Sequence, residues 1–173
     1  MTLNEKQLDI VQYLLKKDSN ILEKNSKKQT PLHLVVLNNS LPLAELLLKK
    51  LNKKLKSIEE NNENQLEQQQ SDSNLKYFEM YDLAGESPLH YACRNNNAKM
   101  CELLVSHGFE LNHRSDIDKK LPHELCTDEN LKNSLQEQLK VNELNAALNF
   151  DIQLLLEASK SGDLEVVKVK NNF

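Results

Sequence analysis

The 173-residue sequence predicts an all-α solenoid of stacked helix-turn-helix units with hairpin-like loops and one disordered insertion. A short motif occurs twice, in residues 30–33 (TPLH) and 87–90 (SPLH), and the residues after each copy also match. The chain is 39% hydrophobic and 5% aromatic, with no tryptophan, which is a poor supply for a large sheet sandwich. Residues 52–76 interrupt the pattern with a polar, Asn- and Gln-rich stretch.

Each copy of the motif predicts the start of a helix. Thr30 and Ser87 are residue types that cap helix N-termini, and the proline that follows suits a first turn, where its missing N–H costs nothing. The apolar residues that follow at helical spacing form a stripe that a single two-helix unit cannot bury. Neighbouring units must therefore stack, and stability becomes a sum over adjacent interfaces.

The two copies resemble the ankyrin repeat, in which T-P-L-H is followed by a second helix rich in leucine. They begin 57 residues apart, which is one period of about 33 residues plus an insertion of about 24. Residues 121–126 (LPHELC) resemble a worn copy 34 residues further on, and residues 8–17 and 155–168 fit the same register. The resemblance covers most of residues 3–168.

This register predicts a single array over residues 1–173. Its segments are a partial repeat (1–29), the helical part of a repeat (30–51), the insertion (52–76), a repeat (77–120), a degenerate repeat (121–140), a helical linker (141–152) and a partial repeat (153–173). Residues 121–168 are also similar to the junctions between ankyrin clusters in tankyrases. Both ends fall inside a repeat, so the chain either carries degenerate caps or is a piece of a longer array.

The insertion predicts a solvated loop, because its composition cannot bury enough apolar surface to offset the entropy of ordering. A binding arm that orders on a partner is the alternative.

Composition argues against several functional classes. The net charge of −4 disfavours nucleic acid as a partner, and three widely spaced glycines cannot form a phosphate-binding loop. No apolar run is long enough for a signal peptide or a membrane span. The three cysteines lack the close pairing of structural zinc sites and predict free thiols in a reducing compartment, the cytoplasm or alternatively the nucleus.

No catalytic constellation is evident, and the resemblance implies a structural role for the motif histidines His33 and His90. We therefore expect no enzyme activity, no cofactor, no bound metal and no small-molecule substrate. The expected state is a monomer that binds a protein partner.

The resemblance implies a protein–protein interaction module that binds its partner on the concave face of the array. Carried over by register, the partner-binding residues are Lys27, Gln29, Asn38, Tyr81, Leu83, Glu86, Tyr91, Arg94, Asn95, Asp118 and Lys120, with Leu37 and Ile117 on the same face. Binding energy is expected to concentrate at Tyr81, Glu86, Tyr91 and Arg94, because tyrosine and arginine are common hot spots. The alternative is a recruiting fragment of a larger transferase, kinase or ubiquitin ligase, whose catalytic domain lies outside this chain.

Overall fold

A computed structural model describes residues 20–62 and 80–161. Over these residues the chain forms five α-helices and one 3-10 helix: α1 (Pro31–Leu37), α2 (Leu41–Asn62), α3 (Pro88–Arg94), α4 (Ala98–Ser106), the 3-10 helix η1 (Pro122–Leu125) and α5 (Glu129–Ser161). No strand occurs in the described residues, and the all-α prediction is confirmed. The chain divides into two compact units, residues 1–132 and 133–173.

The two copies of the motif begin α1 and α3 as predicted. The backbone N–H of Thr30 donates to Nδ1 of His33 (3.1 Å), and the Thr30 hydroxyl lies 2.9 Å from the same nitrogen. Ser87 and His90 repeat this arrangement at 3.1 and 2.9 Å. In both copies the proline occupies the first turn.

The same histidines connect each helix to the following loop. Because Nδ1 accepts a hydrogen bond, Nε2 carries the ring proton and donates it to a backbone carbonyl. Nε2 of His33 lies 3.0 Å from the Glu86 carbonyl, and Nε2 of His90 lies 3.3 Å from that of Lys120. Burial lowers the pKa of both side chains, to about 4 for His90, so the rings are neutral near pH 7. The motif histidines are structural, as the resemblance implied.

The core of the first unit lies where these helices stack. α1 packs against α2 and α3, α3 packs against α4 and η1, and α2 contacts α4. Leu32 and Leu89, the motif leucines, are buried, as are Leu43 and Leu47 of α2. The apolar stripe is therefore buried between neighbouring units, which is the stacking that the sequence pattern requires.

The third copy of the motif forms a 3-10 helix and replaces the capping histidine by an acid. The backbone N–H of Leu121 donates to Oε2 of Glu124 at 2.6 Å, so Glu124 has the position and role of His33 and His90. His123 takes the position of the motif leucine, is buried, and has no hydrogen-bond partner at Nδ1. The third copy therefore places a polar ring where its two predecessors bury a leucine.

The start of the insertion differs from the prediction. α2 continues to Asn62, so residues 52–62 are helical rather than part of a disordered loop. This stretch contains leucine, lysine and glutamate, which are strong helix formers, and the low hydrophobicity that predicted disorder does not oppose helix formation. The remainder, residues 63–76, lies outside the described residues.

The predicted segments after residue 121 fall largely on one long helix. Residues 129–161 form one continuous helix, so no break separates the degenerate repeat, the helical linker and the partial repeat at 140/141 or 152/153. The segment contains neither proline nor glycine, and nothing in it stops a helix. The first 19 residues of the N-terminal partial repeat and residues 162–173 of the C-terminal one lie outside the described residues.

Candidate partner-binding face

Three similar loops precede α1, α3 and η1, in residues 25–29, 82–86 and 115–120. In the first two loops the leading side chain binds the backbone of its own loop. Oδ1 of Asn25 accepts from the N–H groups of Lys27 and Gln29 (2.9 and 3.0 Å), and Oδ1 of Asp82 accepts from those of Ala84 and Glu86 (2.8 and 2.9 Å). Such side-chain-to-backbone bonds fix a turn without a strand ladder.

The penultimate residue of each loop has a left-handed backbone. Lys28, Gly85 and Lys119 have φ angles of 58°, 68° and 54°. At Gly85 a Cβ atom would lie 2.8 Å from the backbone nitrogen of Asp116 in the next loop. Glycine is therefore required in the middle loop for both its conformation and the close approach of its neighbour, as its place in the motif predicted.

Adjacent loops are joined edge to edge by backbone hydrogen bonds. The N–H of Leu83 donates to the carbonyl of Lys27 (3.1 Å), and the N–H of Asp116 donates to that of Ala84 (2.7 Å). Three loop tips therefore stand side by side. Two of them carry exposed apolar residues, Leu83 at 59% exposure and Ile117 at 71%, and the first carries exposed Lys27.

Tyr91 belongs to an internal network instead of the exposed surface. Only 8% of the residue is exposed. Its hydroxyl donates to Oδ2 of Asp82 (2.7 Å) and accepts from Nε2 of Gln29 (2.7 Å), which joins α3 to two loops. Burial and the Asp82 carboxylate raise the pKa of Tyr91 to about 12. Its expected role as an exposed anchor is corrected, because the aromatic ring fills the space between repeats.

Glu86 is likewise occupied within the protein. It is 6% exposed and forms a two-point ion pair with Arg94, in which Nη1 lies 2.9 Å from Oε2 and Nη2 bonds Oε1. This bond raises the pKa of Arg94. Nearly half of the Arg94 side chain stays exposed, and its guanidinium carbon lies 5.7 Å from the Tyr91 ring centroid. Arg94 therefore keeps an exposed surface, and Glu86 holds its guanidinium group in place.

Tyr81 is half-buried at the start of the middle loop. Its ring stacks on His113 with the centroids 3.9 Å apart, and its carbonyl accepts from Nζ of Lys24 (3.3 Å). His113 also donates from Nε2 to the carbonyl of Gly85 (3.0 Å). Burial raises the pKa of the Tyr81 hydroxyl. Tyr81 is thus rigidly held, with one part of its surface accessible.

The remaining expected residues lie mainly on the surface. Four of them are exposed, namely Lys27, Asn38, Asp118 and Lys120. Asn95 is half-buried, and its Nδ2 donates to the carbonyl of Val36 (3.3 Å). The sequence reasoning missed Leu34, which is exposed on α1 at the position of Tyr91 on α3. The signal was present, because Leu34 and Tyr91 both follow the motif histidine.

Neither a metal-binding cluster nor a membrane-spanning helix occurs among residues 20–62 and 80–161. Within them, no three or more His, Cys, Asp or Glu side chains are placed to hold a metal ion. None of the helices in the described part of the chain is long and apolar enough to cross a membrane. The first unit presents a face of loop tips, joined by backbone hydrogen bonds, and of adjoining helix ends.

Stacked helix pairs joined to hairpin-like loops through capping histidines define a repeat solenoid. A family model described as ankyrin repeats, in three copies, matches residues 1–116, two thirds of the chain. The chain belongs to the ankyrin repeat family. It is also similar to ankyrin repeat and SOCS box protein 11 of Danio rerio, at 41% identity over 51 residues, which is 30% of this chain and 17% of that protein.

Proposed function

We propose that this chain is a non-catalytic module that binds a protein partner on its loop tips and the adjoining ends of α1 and α3. The observation that carries the proposal is the row of loop tips joined by backbone hydrogen bonds, two of which expose Leu83 and Ile117. Exposed apolar side chains on a rigid scaffold bind at a low entropic cost, because neither the loops nor the helices must be ordered on binding.

Burial divides the expected residues into two groups. The first group reaches the surface and is proposed to contact the partner; it consists of Lys27, Leu83, Arg94, Asp118 and Lys120. The second group is proposed to hold the contacting side chains and loops in place, because its polar atoms are already bonded within the protein. It consists of Gln29, Glu86 and Tyr91.

The chemistry of this face suggests the kind of partner. Apolar tips at Leu83 and Ile117 suit an apolar side chain. The first loop, which adjoins the loop of Leu83, carries exposed Lys27 and Lys28, and exposed Lys24 lies just before it. A partner segment that presents an apolar residue next to acidic residues would satisfy both features.

A capture experiment with matched variants tests the proposal. The intact chain, a Leu83→Glu/Ile117→Glu double variant and a Leu144→Glu control are immobilised, and the proteins they retain are identified by mass spectrometry. Leu144 lies on α5 and is as exposed as Ile117, so the control adds a charge at an equally exposed apolar site. For a partner retained by the parent, the double variant should raise Kd by more than tenfold and the control by less than twofold. Equal affinity of all three proteins would exclude the loop tips as the binding surface.

We also propose a second candidate, in which the chain recruits a partner for an enzyme domain located elsewhere in a longer protein. The chain spans 17% of its Danio rerio relative, whose name combines ankyrin repeats with a SOCS box. Sequencing the full transcript tests this candidate: a reading frame that encodes a catalytic domain before Met1 or after Phe173 supports it, and a full transcript that encodes none excludes it.

The cytoplasm is the proposed compartment, supported by three cysteines that are all free and buried. Fluorescence microscopy of the tagged full-length protein tests this, and light scattering tests the proposed monomeric state.

A further inference from the structure

Two free thiols are in contact between the helices α3 and α4. Cys93 lies near the end of α3 and Cys101 near the start of α4, and their sulfur atoms are 3.7 Å apart. A disulfide needs the sulfurs to approach by about 1.6 Å more, to the bond length of ~2.05 Å. Small changes in the two side chains therefore separate this dithiol from a covalent bond.

The turn between α3 and α4 holds the two thiols together. The backbone N–H of Asn96 donates to the carbonyl of Cys93 (2.9 Å), and the N–H of Cys101 donates to that of Asn97 (2.9 Å). Asn97 also caps α4, because its Oδ1 accepts from the N–H of Met100 (3.1 Å). The backbone of both cysteines is thus fixed by the hydrogen bonds of one short turn, and the contact between the sulfurs belongs to the folded helix pair.

Burial keeps the dithiol unreactive while the helix pair is closed. Cys93 and Cys101 are both 0% exposed, as are their chain neighbours Ala92 and Met100. A thiol enclosed in apolar surroundings is inert, because reagents do not reach it and its thiolate is disfavoured. Folded proteins nevertheless open locally, and an oxidant meets the two thiols in that opened fraction.

Closure of the helix pair then selects the partner of an oxidised thiol. When α3 and α4 pack again, an oxidised sulfur on either cysteine returns to the sulfur of the other. Cys101 is 8 positions from Cys93 along the chain, whereas the third thiol, Cys126, is 33 positions away and follows η1. The shorter loop costs less entropy to close, so contact and chain length favour the same pair.

We propose that Cys93 and Cys101 are a modification site, a dithiol that peroxide oxidises to a disulfide joining α3 to α4. One of the two thiolates attacks an oxygen of hydrogen peroxide, the O–O bond breaks, and the released hydroxide takes up that thiol's proton to become water. The cysteine is then a sulfenic acid, which condenses with a thiol. The other sulfur attacks it, and the hydroxyl leaves with the second thiol's proton as water. Two thiols are oxidised to one disulfide, and one peroxide is reduced to two waters.

The bond would reinforce the helix on which the described repeats converge. α3 packs against α1, α4 and η1, and it carries Arg94 of the candidate face next to Cys93. A disulfide closes a loop of residues 94–100 and lowers the entropy of the unfolded chain. Oxidation should therefore raise the thermal midpoint of the full chain, and dithiothreitol should reverse the rise.

Trypsin places each cysteine in a different peptide, so a peptide map identifies the pairing directly. Cleavage after lysine and arginine leaves Cys93 in residues 77–94, Cys101 in residues 100–114 and Cys126 in residues 121–132. The full, reduced chain is treated with hydrogen peroxide, its remaining thiols are alkylated, and it is digested without reductant for mass spectrometry. We expect peptide 77–94 cross-linked to peptide 100–114, in a chain that stays single on a non-reducing gel.

Two variants separate this pair from the third thiol. Cys126→Ala is the matched control, because it also replaces a buried cysteine by alanine, and it should form the same cross-link at a rate similar to that of the parent. Cys101→Ala removes the proposed partner and should form no disulfide within the chain over the same time.

Four outcomes would overturn the proposal. They are a cross-link that contains peptide 121–132, a disulfide between two chains, recovery of all three peptides without a cross-link, and an oxidised protein whose thermal midpoint is not raised. If Cys101→Ala fails to fold by circular dichroism, the peptide maps of the parent and of Cys126→Ala still decide the pairing. The experiment needs no partner protein, so its failure is distinct from a failure of the loop tips to bind.

Discussion

Replacement of Gly85 by alanine tests how the loops determine the stacking of the repeats. Gly85 has a φ of 68°, and a Cβ atom there would lie 2.8 Å from the backbone nitrogen of Asp116. That nitrogen donates to the carbonyl of Ala84 at 2.7 Å, so the two loops cannot separate without lengthening the hydrogen bond that joins them.

The expected cost follows from two contributions. A left-handed backbone costs a residue with a Cβ about 1–2 kcal/mol relative to glycine. Relief of the clash weakens the bond between Asp116 and Ala84, which costs a further ~1 kcal/mol. We therefore expect Gly85→Ala to reduce the free energy of unfolding by about 2–3 kcal/mol, a large part of the ~5–15 kcal/mol typical of a domain.

The assay is urea denaturation monitored by far-ultraviolet circular dichroism, with Lys119→Gly as the matched control. Lys119 has the same penultimate position in the next loop and a φ of 54°, so glycine there relieves strain. The control should be neutral or stabilising by up to about 1 kcal/mol. A loss below about 0.5 kcal/mol for Gly85→Ala would refute the argument, because neither the conformation nor the close approach would then cost free energy.

Three other measurements test the fold. Leu89→Ala should cost about 2–4 kcal/mol in urea denaturation, because Leu89 is fully buried, and a loss below about 0.5 kcal/mol would contradict its place in the core. Acidification from pH 7 to pH 5 should lower the free energy of unfolding by about 2 kcal/mol through His90 alone, since its pKa in the fold is about 4 while the unfolded side chain takes up a proton near pH 6.5. The pKa values of His33 and His123 are also lowered in the fold, so their protonation destabilises the fold as that of His90 does. The stability that the neutral histidines contribute is complete above pH 6.5 and is lost as the pH falls towards 4. Equal urea midpoints at pH 7 and pH 5 would contradict this prediction. Replacement of residues 54–74 by a short turn should reduce the helical circular dichroism signal, because α2 extends to Asn62. The thermal midpoint should stay nearly unchanged, because the entropy of loop closure varies slowly with loop length. A fall of more than about 10 °C would show that the segment belongs to the core.

The repeated motif predicted the described part of the first unit well. Each residue of T-P-L-H and S-P-L-H has one local requirement: a cap, a first-turn proline, a buried leucine and a histidine that binds the cap. Because each requirement involves residues close together in the sequence, the sequence alone predicts where these helices begin. The insertion was predicted to begin at residue 52, whereas α2 continues for eleven further residues to Asn62, because composition reports hydrophobicity and does not show where a helix ends.

The candidate face was only partly predictable. Register placed Leu83, Arg94 and Lys27 on the surface, where the structure has them. It also expected Tyr91 and Glu86 there, but Tyr91 binds Asp82 and Gln29, and Glu86 binds Arg94. These partners lie 8 to 62 residues away along the chain, so no local sequence pattern predicts the bonds.

The sequence by itself therefore determined the fold class, the family, the helix starts and the need for neighbouring units to stack. These properties depend on the repeat period, which is visible directly in the sequence, and on helix caps and the glycine of one loop, which act over a few residues. Only the tertiary structure decided which side chains of the loop face are exposed and which are bonded within the protein. Burial and pairing depend on contacts between residues far apart in the chain, and those contacts exist only once the repeats are stacked.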